Sequence, residues 1–292
     1  MIVDFTLLKE SLFTSENMFL IAMALVWMIV AVIQDFKHRE VENWWSFSLI
    51  VTALVYRAFV SINNLDYRYF MWGLIGLGVG FILCNAFYYG RVFAGGDAKL
   101  LMALGVIIPF SLNWQYNLIF VMAFLIFMLF AGAVYGFIYS VVLTFMNLRE
   151  FKHEFFKQFK KYKKLAIIVS VCGLIAVLAF YFYGLYSIAI ISCILVIMPV
   201  LLIYSKAIEE VNMKRFVDVK DLTVGDWIAV SLKVHGKTIK PNWEGLSEEE
   251  LKFIVKNYHK KVLVKYGIPF TPAFLLGFIS MLIFLYVGFI IF

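Results

Sequence analysis

Two aspartates stand where a chain that is 63% hydrophobic and only 15% charged is least expected to keep carboxylates. Asp35 closes the first long uncharged stretch, in Gln34-Asp35-Phe36-Lys37-His38-Arg39-Glu40-Val41-Glu42-Asn43. Asp97 opens a later one, in Ala94-Gly95-Gly96-Asp97-Ala98-Lys99-Leu100. Ionisable groups at the ends of membrane helices are costly and mark candidate functional sites. Two carboxylates brought together cannot both ionise easily, so one keeps a proton while the other is a base. Such a pair can activate a water for attack on a peptide carbonyl, with the protonated member donating to the carbonyl oxygen. Gly95 and Gly96 fit that chemistry, since glycine permits positive φ and the close approach of a second backbone. Each feature also has a plainer reading: the glycines make a turn between helices, and Asp35 pairs with Arg39 at i+4.

The elements that must carry these residues follow from composition. Soluble domains are about half apolar and about a quarter charged. A mean hydropathy of +0.90 therefore excludes an ordinary soluble domain, a disordered chain and a nucleic-acid-binding module. A transmembrane β-barrel is excluded too, because its spans alternate polar and apolar residues. A spanning helix needs about 20 apolar residues. Uncharged windows at 17–34 and 69–90 supply one span each, and 44–62 supplies another that Arg57 interrupts. That arginine is expected to snorkel to the interface near its helix end. The uncharged runs 100–148 and 165–205 hold two spans each, divided at 109–117 and at 183–187 around Gly184, and 266–292 is the last. The expected fold is an all-α polytopic membrane protein with about eight transmembrane helices and a small cytoplasmic α+β insertion. The first apolar stretch lacks the basic flank and cleavage site of a signal peptide and is expected to remain as a span.

Charge then orients the chain. Residues 149–164 carry Arg149, Lys152, Lys157, Lys160, Lys161, Lys163 and Lys164 against Glu150 and Glu154, and are expected to form a cytoplasmic loop. Counting spans outward puts loops 35–43 and 91–99 on the same side, with both aspartates. Loops 61–68, 111–117 and 183–187 fall opposite, and the N- and C-termini outside. Segment 206–265 holds 12 Lys/Arg and 9 Asp/Glu and reads as the α+β insertion. It alternates across 216–234 with a Gly225-Asp226 turn. Ser247 and Glu250 then form a capping box for a helix whose buried stripe is Leu251, Ile254 and Val255. The organisation expected is an extracytoplasmic segment 1–16, seven helices in 17–205, the insertion 206–265, and the last helix in 266–292. The net charge of +7 is accounted for by 149–164, at +5, and the insertion, at +3, with the rest of the chain near balance. Cys84, Cys172 and Cys193 lie in apolar runs and read as small buried hydrophobes. His38, His153, His235 and His259 are scattered, so no metal or other cofactor is expected.

Three segments in order carry a resemblance. Asp35-x-Lys37-x-Arg39-x-Val41-x-Asn43 resembles the first aspartate segment of the type IV prepilin peptidases. Gly95-Gly96-Asp97-Ala98-Lys99-Leu100, followed by Ala103-Leu104-Gly105, resembles their second. Gly267-Ile268-Pro269-Phe270-Thr271-Pro272-Ala273-Phe274-Leu275 is similar to the Pro-Phe-x-Pro element that opens their last helix. The resemblance implies a membrane aspartic endopeptidase of the Gly-x-Gly-Asp class, with Asp35 and Asp97 as the catalytic pair. Its substrates would be pilin-like or archaellin precursors with class III signal peptides, whose basic leader is cut on the cytoplasmic side. The archaeal branch fits best, since this chain lacks the cysteine-rich zinc loop of the bacterial bifunctional enzymes. One departure is Ala94 in place of the first glycine. If that position requires positive φ, alanine costs about 1 kcal/mol or more.

The neighbours have expected roles of their own. Lys99 contacts the substrate backbone or tunes the pair, or else snorkels as a positive-inside lysine. Arg39 orients Asp35, or is interfacial. Pro269, Phe270 and Pro272 hold extended substrate near the aspartates, or merely start a helix. Two other functions use the same carboxylates. A presenilin-like or signal-peptide-peptidase-like protease would cut inside a helix, although the Pro-Ala-Leu element of those enzymes is absent. A proton- or cation-coupled transporter would be expected to show mid-span charge and internal repeats, and neither is visible. Besides precursor and lipid bilayer no partner is expected, and no nucleic acid.

Overall fold

In lipid every backbone N–H and C=O must find its partner within the segment, so long apolar runs have helix as their one open-ended solution. The computed structural model describes residues 5–291 and follows that rule. Its helices are α1 (Phe5–Leu12), α2 (Ser15–His38), α3 (Asn43–Asn63), α4 (Arg68–Tyr89), α5 (Gly95–Ile107), α6 (Trp114–Met146), α7 (Leu148–Phe182), α8 (Tyr186–Ile208), α9 (Glu248–Asn257) and α10 (Thr271–Ile291). Six of them (α2, α3, α4, α6, α7 and α8) are long and apolar enough to cross a membrane, and α10 adds a shorter apolar stretch. The chain is a polytopic all-helical membrane protein. A helix lies at each expected span, but α5 has only 13 residues. At 1.5 Å per residue it is too short to cross about 30 Å of hydrocarbon.

The chain divides into two units, Met1–Phe137 with Pro269–Phe292, and Ile138–Ile268. The first has one continuous core, into which α1 unexpectedly contributes Leu8 and Leu12, an i, i+4 pair. The extreme termini, residues 1–4 and 292, lie outside the described residues. In this core α4 and α5 touch backbone to backbone. A Cβ on Gly76 would lie 2.1 Å from the Gly105 carbonyl oxygen, and one on Gly105 would lie 2.9 Å from the Gly80 Cα. Small residues are what permit such approach between membrane helices.

Arg57 corrects the expectation of a snorkelling side chain, because it is completely buried. Since α5 stops inside the unit, its last carbonyls lack intrahelical partners. The guanidinium supplies them, with Nε donating to Val106 O at 2.9 Å, Nη2 to Ile107 O at 3.1 Å and to Pro109 O at 2.6 Å. Nη1 donates to Tyr69 O at 3.0 Å, and the Tyr69 ring stacks beneath at 4.5 Å. The cation also sits at the negative end of the α5 dipole. Tyr69 Oη in turn donates to Asn17, which holds Ser11 O and Phe110 O.

The second unit begins in α6 and turns after Asn147 into α7. The basic stretch 149–164 is therefore no loop; it is the first turns of a 35-residue helix. It contains no Gly or Pro, and Lys, Glu, Gln and Arg are good helix formers. Helix α8 returns beside α7 after a turn at Gly184 (φ +73°), with Ser170 Oγ donating to Val196 O at 3.0 Å. Cys172 and Cys193 are exposed on this apolar pair, not buried as expected, and Cys84 is intermediate. Lipid rather than protein is the apolar medium for such helix faces. A π-helical turn at Glu209–Met213 leads into strands β1 (Lys214–Val217), β2 (Trp227–Ile228), β3 (Leu232–Val234), β4 (Lys237–Ile239) and β5 (Val262–Lys265). They form an antiparallel sheet of order β1-β5-β2 and a β3-β4 hairpin. Ser247 and Glu250 make the capping box of α9. Ile254 is buried and Leu251 packs beside it, whereas Val255 is 47% exposed and lies off the expected stripe.

Arg57→Met should lower the stability of the purified protein in detergent by about 3 kcal/mol or more, because several buried carbonyls lose their donor at about 1–3 kcal/mol each. An unchanged thermal midpoint would show that the guanidinium does not hold the end of α5.

Candidate active site

The site is made from three helix ends. Helix α2 finishes at His38, and Arg39 caps it in the left-handed region (φ 61°, ψ 20°), its N–H donating to the Asp35 carbonyl at 2.9 Å. A non-glycine residue in that conformation costs about 1–2 kcal/mol. The chain then turns through Val41, which is buried, and Glu42 leads into α3 with its N–H on Gln34 Oε1 at 3.3 Å. Helix α5 starts after Ala94, its N-cap, which has φ −69° and ψ 164°. Asp97 is the third helical residue, and its carboxylate bonds back to the Ala94 backbone, half of a capping box. Asp35 is buried, and it lies within electrostatic reach of Asp97.

Ala94 is thus in extended backbone that any residue adopts, and the cost foreseen for losing the first glycine does not arise. Nor do Gly95 and Gly96 use positive φ; both are helical. Gly96 uses its missing side chain in the other way. A Cβ there would lie 3.1 Å from Val41 N and 3.2 Å from Val41 O, so the two aspartate segments touch through backbone. At Gly95 the nearest atom to such a Cβ is Tyr88 Cε2, at 3.8 Å. Lys99 Nζ donates to Asn43 Oδ1 at 2.5 Å, a second link between the segments.

The third helix end is that of α10. Thr271 N and Oγ1 both donate to Asp35 Oδ2, at 3.1 and 2.9 Å, and Thr271 is buried. Phe270 lies against α6, where a Cβ on Gly132 would be 2.7 Å from Phe270 Cζ, and its ring meets Phe93 and Phe274. The structure therefore brings together the segments of Asp35 and Asp97 through Gly96 and Lys99, and sets Phe270 against Phe93, just before α5. Arg39 is linked to Asp35 through its backbone. Pro269 and Pro272 frame Thr271, the residue that sequence reasoning passed over. The available signal was a hydroxyl set between prolines at the start of an apolar helix. Among the described residues, no three His, Cys, Asp or Glu side chains gather as a metal ligand set.

The glycines separate cleanly in a stability measurement. Gly95→Ala should be neutral or slightly stabilising, as expected for glycine replaced without strain. Gly96→Ala should be about 1 kcal/mol less stable than Gly95→Ala, because its Cβ presses on the Val41 backbone. Equal midpoints for the two variants in detergent melts would refute that contact.

Comparison with known proteins matches residues 22–145 to the type IV leader peptidase family. A preflagellin peptidase of Methanococcus maripaludis is 30% identical over 128 residues, 41% of this chain and 55% of that protein. One from Methanocaldococcus jannaschii is 33% identical over 91 residues, 31% of this chain and 36% of the relative. One from Methanococcus voltae is 26% identical over 134 residues, 44% and 57%. The chain thus spans between about a third and just over half of the length of these relatives. No solved structure matches. The stretch that is similar to the type IV leader peptidase family, residues 22–145, includes both aspartates.

Proposed function

We propose that the protein is a membrane aspartic endopeptidase that removes the short basic leader from pilin-like or archaellin precursors carrying class III signal peptides. The observation that carries this reading is the backbone contact of Gly96 with Val41, which joins the segments of Asp97 and Asp35, two carboxylates from helix ends 62 positions apart in the chain. The family match over the same residues and the relatives named preflagellin peptidases support it.

In the proposed reaction the ionised aspartate takes a proton from water as the oxygen attacks the scissile carbonyl carbon. The protonated aspartate donates to the carbonyl oxygen. The tetrahedral species then collapses: the C–N bond breaks as the aspartate that took the water proton gives it to the departing nitrogen, and the other aspartate takes a hydroxyl proton back from the gem-diol, with no covalent enzyme intermediate. The proposed location is the cytoplasmic face of the cell membrane. The basic residues of 149–164 support that side for the 206–265 segment, and Lys37, Arg39, Arg91 and Lys99 beside the aspartates support it for the site, with both termini outside. A precursor whose own apolar helix stays in the bilayer would present its leader there.

Purified enzyme in detergent, incubated with a precursor pilin or archaellin, should release the leader. Asp35→Asn and Asp97→Asn should each lower the rate by at least about a thousandfold, as loss of a catalytic acid–base group does. Full activity in either variant would sink the two-aspartate mechanism. Cleavage inside the apolar stretch, rather than before it, would move the assignment to an intramembrane protease.

A further inference from the structure

The start of α10 shows why Thr271 has donors to spare. A helix leaves its first N–H groups without intrahelical acceptors. Here Pro272 has no N–H at all, and the Ala273 N–H bonds back to Phe270 O at 2.9 Å. The Thr271 N–H is left to reach another element, and the threonine hydroxyl adds a second donor at the same place. Both converge on one oxygen of Asp35, 236 positions away in sequence.

That convergence is built on fixed parts. Phe270 is wedged against Gly132 and the rings of Phe93 and Phe274, so the residue before Thr271 has little room to move. Thr271 itself is 1% exposed. An aspartate at the end of α2 would otherwise sample several rotamers. Two donors on Oδ2 select one of them.

We infer that Thr271 is a positioning residue for peptide cleavage: its hydroxyl and N–H hold the Asp35 carboxylate in the orientation from which the aspartate pair acts. The inference rests on the peptidase reading above. It requires no contact between Thr271 and the precursor. If the threonine only joined α2 to α10, its loss would lower stability and leave turnover of the folded fraction unchanged.

The test is steady-state cleavage of a precursor by wild type, T271V and T271S in detergent. Valine keeps the shape and the N–H but removes the hydroxyl. Losing a hydrogen bond to a charged group should reduce kcat by about ten- to a hundredfold, with KM within about threefold of wild type. T271S should restore most of the rate. Should T271V fail to fold, T271S against T271A makes the same comparison, since both lack the methyl group and only serine keeps the hydroxyl. Unchanged kcat in T271V, a loss confined to KM, or a T271S as slow as T271A would each overturn the inference. Absence of cleavage by wild type would instead overturn the peptidase reading on which it stands.

Discussion

A helix that ends inside an apolar assembly leaves carbonyls with no water to turn to, and α5 is such a helix. Its 13 residues stop at Ile107, and the exposed end would be expensive without a donor. Arg57 is that donor. One guanidinium satisfies Val106, Ile107 and Pro109, and reaches Tyr69 as well. Because α5 is short and rigid, fixing its C-terminus fixes its N-terminus, where Asp97 sits. The close contact of Gly76 and Gly80 with Gly105 removes the remaining freedom along the shared face of α4 and α5. The position of a carboxylate is thereby set by an arginine at the far end of the same helix.

The same rule explains where the chemistry gathers. In the middle of a membrane helix the backbone is fully self-bonded and offers nothing to a polar side chain. At helix ends N–H and C=O groups are free, and a polar side chain can be accommodated by them. Asp35 is in the last turn of α2, Asp97 in the first turn of α5, and Thr271 opens α10. Asp97 is met by the backbone of its own N-cap, and Asp35 by the first residue of another helix. The site can be polar because three ends coincide, and the carboxylates are tolerated because each end brings donors with it.

This rule also decides what could be read from the sequence. The apolar windows located the helices, six of which are long and apolar enough to cross a membrane, since hydropathy is a property of the residues themselves. The two aspartates stood out for the same reason, as charges at the borders of those windows. Arg57 was misread because a lone arginine in an apolar run gives no sign of which carbonyls need it; that depends on where a different helix stops. Segment 149–164 reads as a loop by its charge, yet charge and helicity are independent, and its residues favour the helix they form. At Ala94 the motif comparison suggested a strained glycine, whereas the backbone there is ordinary extended chain. Thr271 shows no role within its Pro-Phe-x-Pro pattern, because its value lies in a partner 236 positions away.

Pro269 and Pro272 show how a pattern can matter through what it withholds. Proline takes an N–H away from the start of a helix at little cost, and in α10 that subtraction leaves Thr271 as the residue whose N–H points off the helix. Had Pro272 been an ordinary residue, its N–H would be one more buried donor seeking an acceptor beside Asp35. Two neighbouring donors at separate residues would then compete for the carboxylate and blur its orientation. With one removed and the next tied to Phe270 O, both remaining donors belong to a single threonine and meet a single oxygen. The element thus specifies one geometry for Asp35 through one backbone N–H and one hydroxyl, both of Thr271.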